Sequence, residues 1–374
     1  MTATHRIFLY GTLLDPVLFE IVGGQPLSGR SGVLAGHAVH WAQDESFPLI
    51  RASEAGHATG LVVEVDDAAR GRLDFYELGF GYTLETREVA IDGAAQEALV
   101  YFPEPERWPL GPRWSLGDWQ AAFGPLTRVA AAEYMGLSAR MAPEEAAACF
   151  GQIRARAASR LRAEAAPSPD PFGGLPERAP EIAETGHPYT GFFGVREDRM
   201  AFPTFDGGLS APVTRSTWLG ADAVTVLPYD PVRDCVLMIR QFRHGAFSRG
   251  DPNPWCLEPV AGRIDPGESA EGAAERELVE EAGVRASRLI RIAGYYPTPA
   301  AVSEHLTSYV AVADLGAADG RVGGMAGEAE DIMTHVLPFD EAFALIESGA
   351  ANTGPLILSL NWLALNRQSL RPAD

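Results

Sequence analysis

The stretch GRIDPGESAEGAAERELVEEAGV, residues 262–284, restricts the fold more than any other part of the chain. It crowds Asp265, Glu268, Glu271, Glu275, Glu277, Glu280 and Glu281 into one segment, with a Pro266-Gly267 break near the start and a glycine at the end. This pattern predicts a helix from about Ala270 to Ala282, closed by Gly283, because glycine readily adopts the left-handed conformation that ends helices. Residues three and four apart share a helix face. Glu277, Glu280 and Glu281 therefore gather together, and Arg276 reaches Glu280, while Ala273, Ala274 and Leu278 are free to pack on a sheet. Uncompensated carboxylates at this density raise one another's pKa and weaken the helix. A solvated acidic face steadied by Arg276 would ease the repulsion, but it leaves the positions of the glycines and of Glu268 unexplained. A hard divalent cation removes the penalty outright, and Mg2+ favours a few carboxylate oxygens together with water and substrate phosphates.

The rest of the chain supplies the setting. With 374 residues, more than one domain is expected. Hydrophobic residues at 46% and charged residues at 21% are the composition of packed globular protein. The formal charge of −20 argues against nucleic acid or an anionic membrane as a main partner, since phosphate contacts need clustered Lys and Arg. No apolar run approaches the roughly 18 residues of a membrane span, and MTATHRIFLYGTLL lacks the layout of a secretory signal. Cys149, Cys235 and Cys256 are isolated and odd in number, so neither a disulfide framework nor a zinc site is expected. They read as buried thiols of a cytoplasmic protein.

Two halves follow from the pattern of breaks. Strand-like runs at Ile7–Leu14, 59–65 and 97–102 alternate with glycine-rich turns. Residues 143–166 read as one helix with Pro143, Glu144 and Glu145 at its start and arginines later, as the helix dipole favours. The Pro- and Gly-dense PSPDPFGGLPERAPE then marks a linker, which gives domains at 1–140 and 186–374 with 141–185 between them. Beyond it, AVTVLPYDPVRDCVLMIRQF predicts a hairpin turning near Asp230, HLTSYVAVADL another strand, and FDEAFALIESG and PLILSLNWLALNRQ helices. The fold class is a mixed α/β chain with helices on the faces of its second sheet.

Gly262, five residues, Glu268, seven residues and then Arg276-Glu277-Leu278-Val279-Glu280-Glu281-Ala282-Gly283-Val284 matches the Nudix box at each defined position. Residues from about 190 to 374 thus resemble Nudix hydrolases, which cleave nucleoside diphosphates linked to another group, and the resemblance implies an α/β/α sandwich. It also implies Mg2+ (or Mn2+) carried by Glu277 and Glu281, with Glu280 as a further ligand or near neighbour. LEPVAG at 257–262 is similar to the segment of ADP-ribose pyrophosphatases in which an alanine carbonyl also ligates metal, which maps to Ala261 with Glu258 beside it. IRQFRHG at 239–245 resembles their substrate-binding strand and points to Arg243, whose planar fork suits phosphate oxygens. Pro299, followed by Glu304, matches the proline after the box, although Thr298-Pro299-Ala300 lacks the glycine common there. GGMAGEAEDIMTHV at 323–336 resembles the loop that carries the general base, with Glu328 and Glu330 both candidates. The implied substrate is ADP-ribose. Another nucleoside-diphosphate sugar or a dinucleotide, or a non-catalytic ADP-ribose sensor, are the alternatives. The family also implies a homodimer built partly through YTGFFGVREDRMAFPTFDGG, whose Phe192, Phe193, Phe202 and Phe205 are expected in core packing rather than stacked on adenine.

FLYGTLL at 8–14 and LDFYELGFGYTLETREV at 73–89 resemble the gamma-glutamylcyclotransferase-like (AIG2-like) fold over residues 5–125, a mixed β-barrel. The resemblance implies that Tyr10, Gly11, Thr12 and Leu13 form a loop binding a carboxylate through backbone N–H groups. It assigns acid-base work to Glu77, with Tyr82 downstream. Leu78 stands where that family usually has glycine. Fusions of these two halves also resemble tellurite-resistance proteins, though no residue here bears on tellurite.

Overall fold

In the computed structural model, which describes residues 3–325 and 330–371, the chain divides into two units, Met1–Arg215 and Ser216–Asp374. The first contains β1 (His5–Leu9), α1 (Pro16–Gly23), β2 (Gly29–Ala42), β3 (Pro48–Val65), α2 (Asp67–Leu78), β4 (Tyr82–Ile91), β5 (Ala94–Pro103), β6 (Leu110–Arg113), α3 (Leu116–Ala122), α4 (Gly124–Met135), α5 (Pro143–Ala148) and α6 (Phe150–Ala165). Its strands run in the order β3-β1-β5-β4-β2-β6, and β2 pairs again with β3, so five of them close into a barrel. Successive side chains on a strand face opposite ways. Phe8 and Tyr10 accordingly join Leu34, Ile50, Val62 and Val100 in one core cluster. Ile7 and Leu9 join Phe19, Leu73, Trp119 and Tyr134 of the helices in another. Gly60 lets β3 cross β1 closely, since a Cβ there would lie 1.9 Å from the Leu9 carbonyl oxygen.

The strand expected over Ile7–Leu14 stops at Leu9. Thr12–Leu14 instead wind into one tight turn, with Leu14 N–H donating to Gly11 O at 3.0 Å and Asp15 N–H to Thr12 O at 2.9 Å. Asp15 fixes the end of that turn. Its buried carboxylate caps α1 through the Leu18 N–H and is gripped by Arg128 at 2.6 and 3.0 Å and by Gln120 at 2.7 Å. Burial alone would raise its pKa, but these donors outweigh burial and hold it below the usual carboxylate value.

The single helix expected over 143–166 is two. Cys149 N–H donates back three residues, to Ala146 O, instead of four, and the ladder restarts with Ile153 N–H on Cys149 O. An ion pair fastens α6 to α4, with Arg156 holding Glu133 through Nε at 3.0 Å and Nη2 at 2.5 Å. The Arg156 residue is 6% exposed. Removing one partner of a buried pair strands the other charge, so Glu133→Ala is expected to lower the stability of this unit by about 3 kcal/mol, read by urea unfolding of the full chain. A loss below about 1 kcal/mol would place the pair among the weak surface bridges.

Residues 167–180 carry no helix or strand, and β7 (Glu181–Thr190), β8 (Gly194–Ala201) and β9 (Val213–Leu219) then form a three-stranded sheet. Phe192, Phe193, Phe202 and Phe205 do not enter a core as expected: all are exposed, Phe205 to 88%. Two of them lie in the tight β7–β8 connection and two beyond β8, and among the described residues no buried hydrophobic cluster includes a residue of β7 or β8.

The second unit contains β10 (Ala223–Asp230), β11 (Cys235–Phe242), α7 (His244–Arg249), β12 (Trp255–Glu258), β13 (Val260–Arg263), α8 (Ala270–Ala282), β14 (Arg288–Tyr295), β15 (Leu306–Val312), β16 (Val322–Gly323), β17 (Ile332–Pro338), α9 (Phe339–Glu347) and α10 (Gly354–Leu370). The expected hairpin is β10–β11, closing on Asp230 opposite Cys235. The sheet order is β14-β15-β10-β11-β17-β16, with β13 on β10 and β12 on β11. Alternation again divides the faces. Val224, Val226, Leu237 and Ile239 meet Ala273, Ala274 and Leu278 of α8. Leu227, Tyr229, Val236 and Met238 meet Phe339, Leu356, Leu360 and Leu363 of α9 and α10. The result is an α/β/α sandwich. Among the described residues no helix is long and apolar enough to cross a membrane. All three cysteines are free; only Cys235 is fully buried, whereas Cys149 and Cys256 are partly exposed, against the expectation for both.

Candidate active sites

The acidic helix α8 begins on Ser269, whose hydroxyl accepts the Gly272 N–H at 3.0 Å, and ends on Gly283 at φ 63°. Its apolar face lies on the sheet, which turns Glu277 and Glu281 towards β13. Glu281 is 1% exposed. One of its oxygens accepts the Ala261 N–H at 3.0 Å, and the other, Oε1, is buried without a hydrogen-bond partner. Burial pushes its pKa up to about 8; the Ala261 N–H opposes the rise, and the charges of Glu277 and Glu330 add to it. Glu277 lies across the backbone of Gly262, where a Cβ would come within 1.7 Å of its Oε1, which is why the segment opens with glycine. Burial raises Glu277 to about 6, against the pull of Arg276.

Arg276 organises the remaining acids. It meets Glu268 at 3.0 Å through two nitrogens, Glu277 at 2.7 Å, Glu280 at 3.0 Å and the Arg263 carbonyl at 3.0 Å. Glu268 is held below its ordinary pKa chiefly by that guanidinium. Among the described residues no three His, Cys, Asp or Glu side chains stand close enough to enclose a metal ion unaided, because Arg276 draws Glu277 and Glu280 towards itself while Glu281 turns to Ala261. The donor set nevertheless suits a hard cation. A buried carboxylate with an orphaned oxygen is costly, and beside it stand a second half-buried carboxylate and the half-buried backbone of Ala261-Gly262.

The other residues singled out in the sequence lie at varied distances from this centre. Arg243 pairs with Glu258 at 2.7 Å while its own side chain stays 43% exposed, and its charge reaches both Glu281 and Glu304. Glu304 is half-buried, and burial together with Asp222 raises its pKa. Glu330 accepts the Met325 N–H at 3.1 Å and stands close enough to act electrostatically on Glu277 and Glu281. Glu328 lies outside the described residues. Pro299 is exposed in the turn closed by Val302 N–H on Thr298 O.

A second site lies in the first unit. Tyr10, Gly11, Thr12, Leu13, Glu77 and Tyr82 all line one cavity of about 380 Å³, a size that suits a small metabolite. The turn after β1 supplies the first four, and the first N–H groups of such a turn have no partner within it. Gly11 is needed because a Cβ would sit 2.9 Å from the Pro48 ring. Tyr10 donates to the Tyr101 carbonyl at 2.7 Å and Tyr82 to the Pro48 carbonyl at 3.3 Å, so both rings are fixed as walls. Glu77, at the end of α2, keeps part of its surface open to the cavity while protein surrounds it elsewhere, and burial lifts its pKa to about 7. The wall contributed by Phe150, Gly151 and Arg154 is not legible in the sequence. Its helix was legible, but nothing in its local pattern said what it would face.

The NUDIX domain model matches residues 220–359, and that of gamma-glutamyl cyclotransferase, AIG2-like, matches residues 7–121. The ADP-ribose pyrophosphatase of Escherichia coli (strain K12) is 37% identical over 183 residues, 49% of this chain and 87% of that protein. That of Haemophilus influenzae is 33% identical over 185 residues, 49% of this chain and 85% of that protein. The GDP-mannose pyrophosphatase of Pectobacterium atrosepticum is 31% identical over 155 residues, 41% of this chain and 78% of that protein. With a paired-carboxylate centre built on the matched segment, the chain belongs to the Nudix family as a pyrophosphohydrolase, its second unit preceded by an AIG2-like domain.

Proposed function

We propose that the second unit hydrolyses the pyrophosphate of ADP-ribose to AMP and ribose 5-phosphate with Mg2+, for which Mn2+ can substitute. The observation that carries this reading is the buried, half-satisfied Glu281 beside Glu277, in a segment 37% identical to an ADP-ribose pyrophosphatase. Glu277, Glu281 and the Ala261 carbonyl would hold the ion, with Glu280 at its margin. When bound, such an ion neutralises pyrophosphate charge and makes water a better nucleophile. The protein's own part is positioning and proton transfer. Arg243, steadied by Glu258, binds phosphate oxygens through its exposed edge. Glu330 or Glu328 accepts the proton of the attacking water as its oxygen bonds to phosphorus and the bridging P–O bond breaks. Glu304 and Pro299 flank the nucleoside side of the substrate.

The test is a panel of ADP-ribose, ADP-glucose, GDP-mannose and a dinucleotide incubated with the full chain and Mg2+, reading the nucleoside monophosphate released. AMP from ADP-ribose at the highest kcat/KM supports the proposal. GMP from GDP-mannose as the main product would favour the second reading, which the 31% identity to a GDP-mannose pyrophosphatase supports. Arg243→Ala is expected to raise KM for the preferred substrate about tenfold, the value of one charge-assisted phosphate contact, with kcat changed less than about threefold. An unchanged KM would remove Arg243 from the substrate site.

For the first unit we propose a small-ligand pocket in which Glu77 moves a proton. In a γ-glutamyl ligand the α-amine would attack the γ-carbonyl carbon and the γ-amide C–N bond would break. Glu77 takes the proton of the attacking amine and returns it to the leaving one, giving 5-oxoproline and a free amine. The exposed Phe192, Phe193, Phe202 and Phe205 support pairing with a second copy of the chain, and three free cysteines support a reducing, cytoplasmic setting.

A further inference from the structure

We infer that the ligand of the first unit's pocket carries an anionic group at the end away from Glu77, and that Arg154 reads it. The inference rests on the small-ligand reading of that pocket. The matched AIG2-like segment ends at residue 121, yet the cavity is completed by Ala147, Phe150, Gly151 and Arg154 from α5 and α6. Phe150, Gly151 and Arg154 share one face of α6, and Ala147 of α5 lines the cavity beside them. The Arg156–Glu133 pair locks that wall in place.

Arg154 differs from its neighbours on α6. Arg156 pairs with Glu133 and Arg160 with Glu164, whereas Arg154, half-buried at the cavity, makes no ion pair or hydrogen bond among the described residues. Its charge is felt at Tyr76, next to Glu77 in sequence, and among the described residues no hydrogen bond or ion pair joins Arg154 to Glu77, which shares the cavity with it. The pocket therefore holds a guanidinium and a carboxyl that are not paired with each other. Aromatic residues and Gly151 line the same cavity, and a Cβ added at Gly151 would meet nothing within 4 Å. A ligand that spans this space, with its amine at Glu77 and a carboxylate on the guanidinium, satisfies both groups. A γ-glutamyl dipeptide has that second carboxylate, and a γ-glutamyl alkylamine lacks it.

The experiment titrates the full chain with γ-glutamylalanine and with γ-glutamylethylamine, which differ only by that carboxylate, using the fluorescence of the pocket residues Trp108 and Trp119. The wild type is expected to bind the dipeptide at least about tenfold more tightly, as one charge-assisted pair provides. Arg154→Ala should bind both equally with an unchanged melting temperature, Arg154→Lys should restore part of the preference, and Gly151→Leu should exclude both by filling the open space. A dipeptide preference that survives in Arg154→Ala overturns the role of Arg154 while leaving the pocket's small-ligand function standing. Failure of the wild type to bind either compound overturns both.

Discussion

Glu281→Gln is expected to lower ADP-ribose turnover by at least about a hundredfold, since both metal and attacking water depend on that carboxylate. Glutamine is nearly the same shape, and its amide oxygen can still accept the Ala261 N–H that Glu281 holds at 3.0 Å. What it removes is the negative charge and the orphaned oxygen. Without a bound cation Glu281, raised to about 8 by burial, is largely the neutral carboxyl that glutamine mimics in shape and charge, so the melting temperature of the variant should equal or exceed that of the chelator-treated wild type. A drop in turnover with an intact melt separates loss of chemistry from loss of structure. Near-normal turnover would remove Glu281 from the centre of the reaction.

Glu77→Gln is expected to act on both stability and chemistry in the first unit. The carboxyl titrates near 4.5 when unfolded and about 7 when folded. Below pH 4.5 both states keep the proton, and the difference has no effect on stability. Between 4.5 and about 7 the unfolded chain releases its proton while the folded chain retains it, so stability falls as pH rises and levels off above 7. The full deficit is about 3 kcal/mol. Glutamine never ionises. The variant should therefore match the wild type in urea unfolding at pH 4.5 and exceed it at pH 8. If the pocket releases 5-oxoproline from γ-glutamyl dipeptides, the wild-type rate should climb through pH 7 as Glu77 becomes a base, and the variant should lose at least about a hundredfold. A variant no more stable than the wild type at pH 8 would show that Glu77 is not held in a poorly solvated place. This cost is of a familiar kind: a group kept in an unfavourable state for its chemistry lowers the stability of the fold around it.

The two sites differ in how much of each could be read before the fold was known. In α8 the candidate residues are neighbours on one helix, so spacing alone predicts the cap at Gly283 and the latch by Arg276, and both are found at the expected position. The partner surface is harder. That Glu281 would turn to the Ala261 N–H, and that Glu277 would need Gly262 beneath it, depends on β13 lying beside α8, a tertiary relation to which motif spacing only alludes. In the first unit the local motifs named the turn at Tyr10–Leu13 and the acid at Glu77. The strand there ended early because the Thr12–Leu14 turn closes on itself. The helix over 143–166 broke at Cys149 through one displaced hydrogen bond, which no side-chain pattern announces. Arg154 escaped notice for the same reason: charge on an exposed-looking helix face reads as solvated until a cavity is found in front of it. The aromatics at 192–205 were misjudged because hydrophobicity predicts burial only where an apolar layer exists to receive it.

Catalysis by the second unit requires a divalent ion to settle among the acids of α8. Calorimetric titration of the chelator-stripped full chain with MgCl2 and MnCl2, with and without AMP, measures this directly. Saturable uptake in wild type that is lost in Glu281→Gln is the expected result. No uptake of either ion under any of these conditions would contradict it.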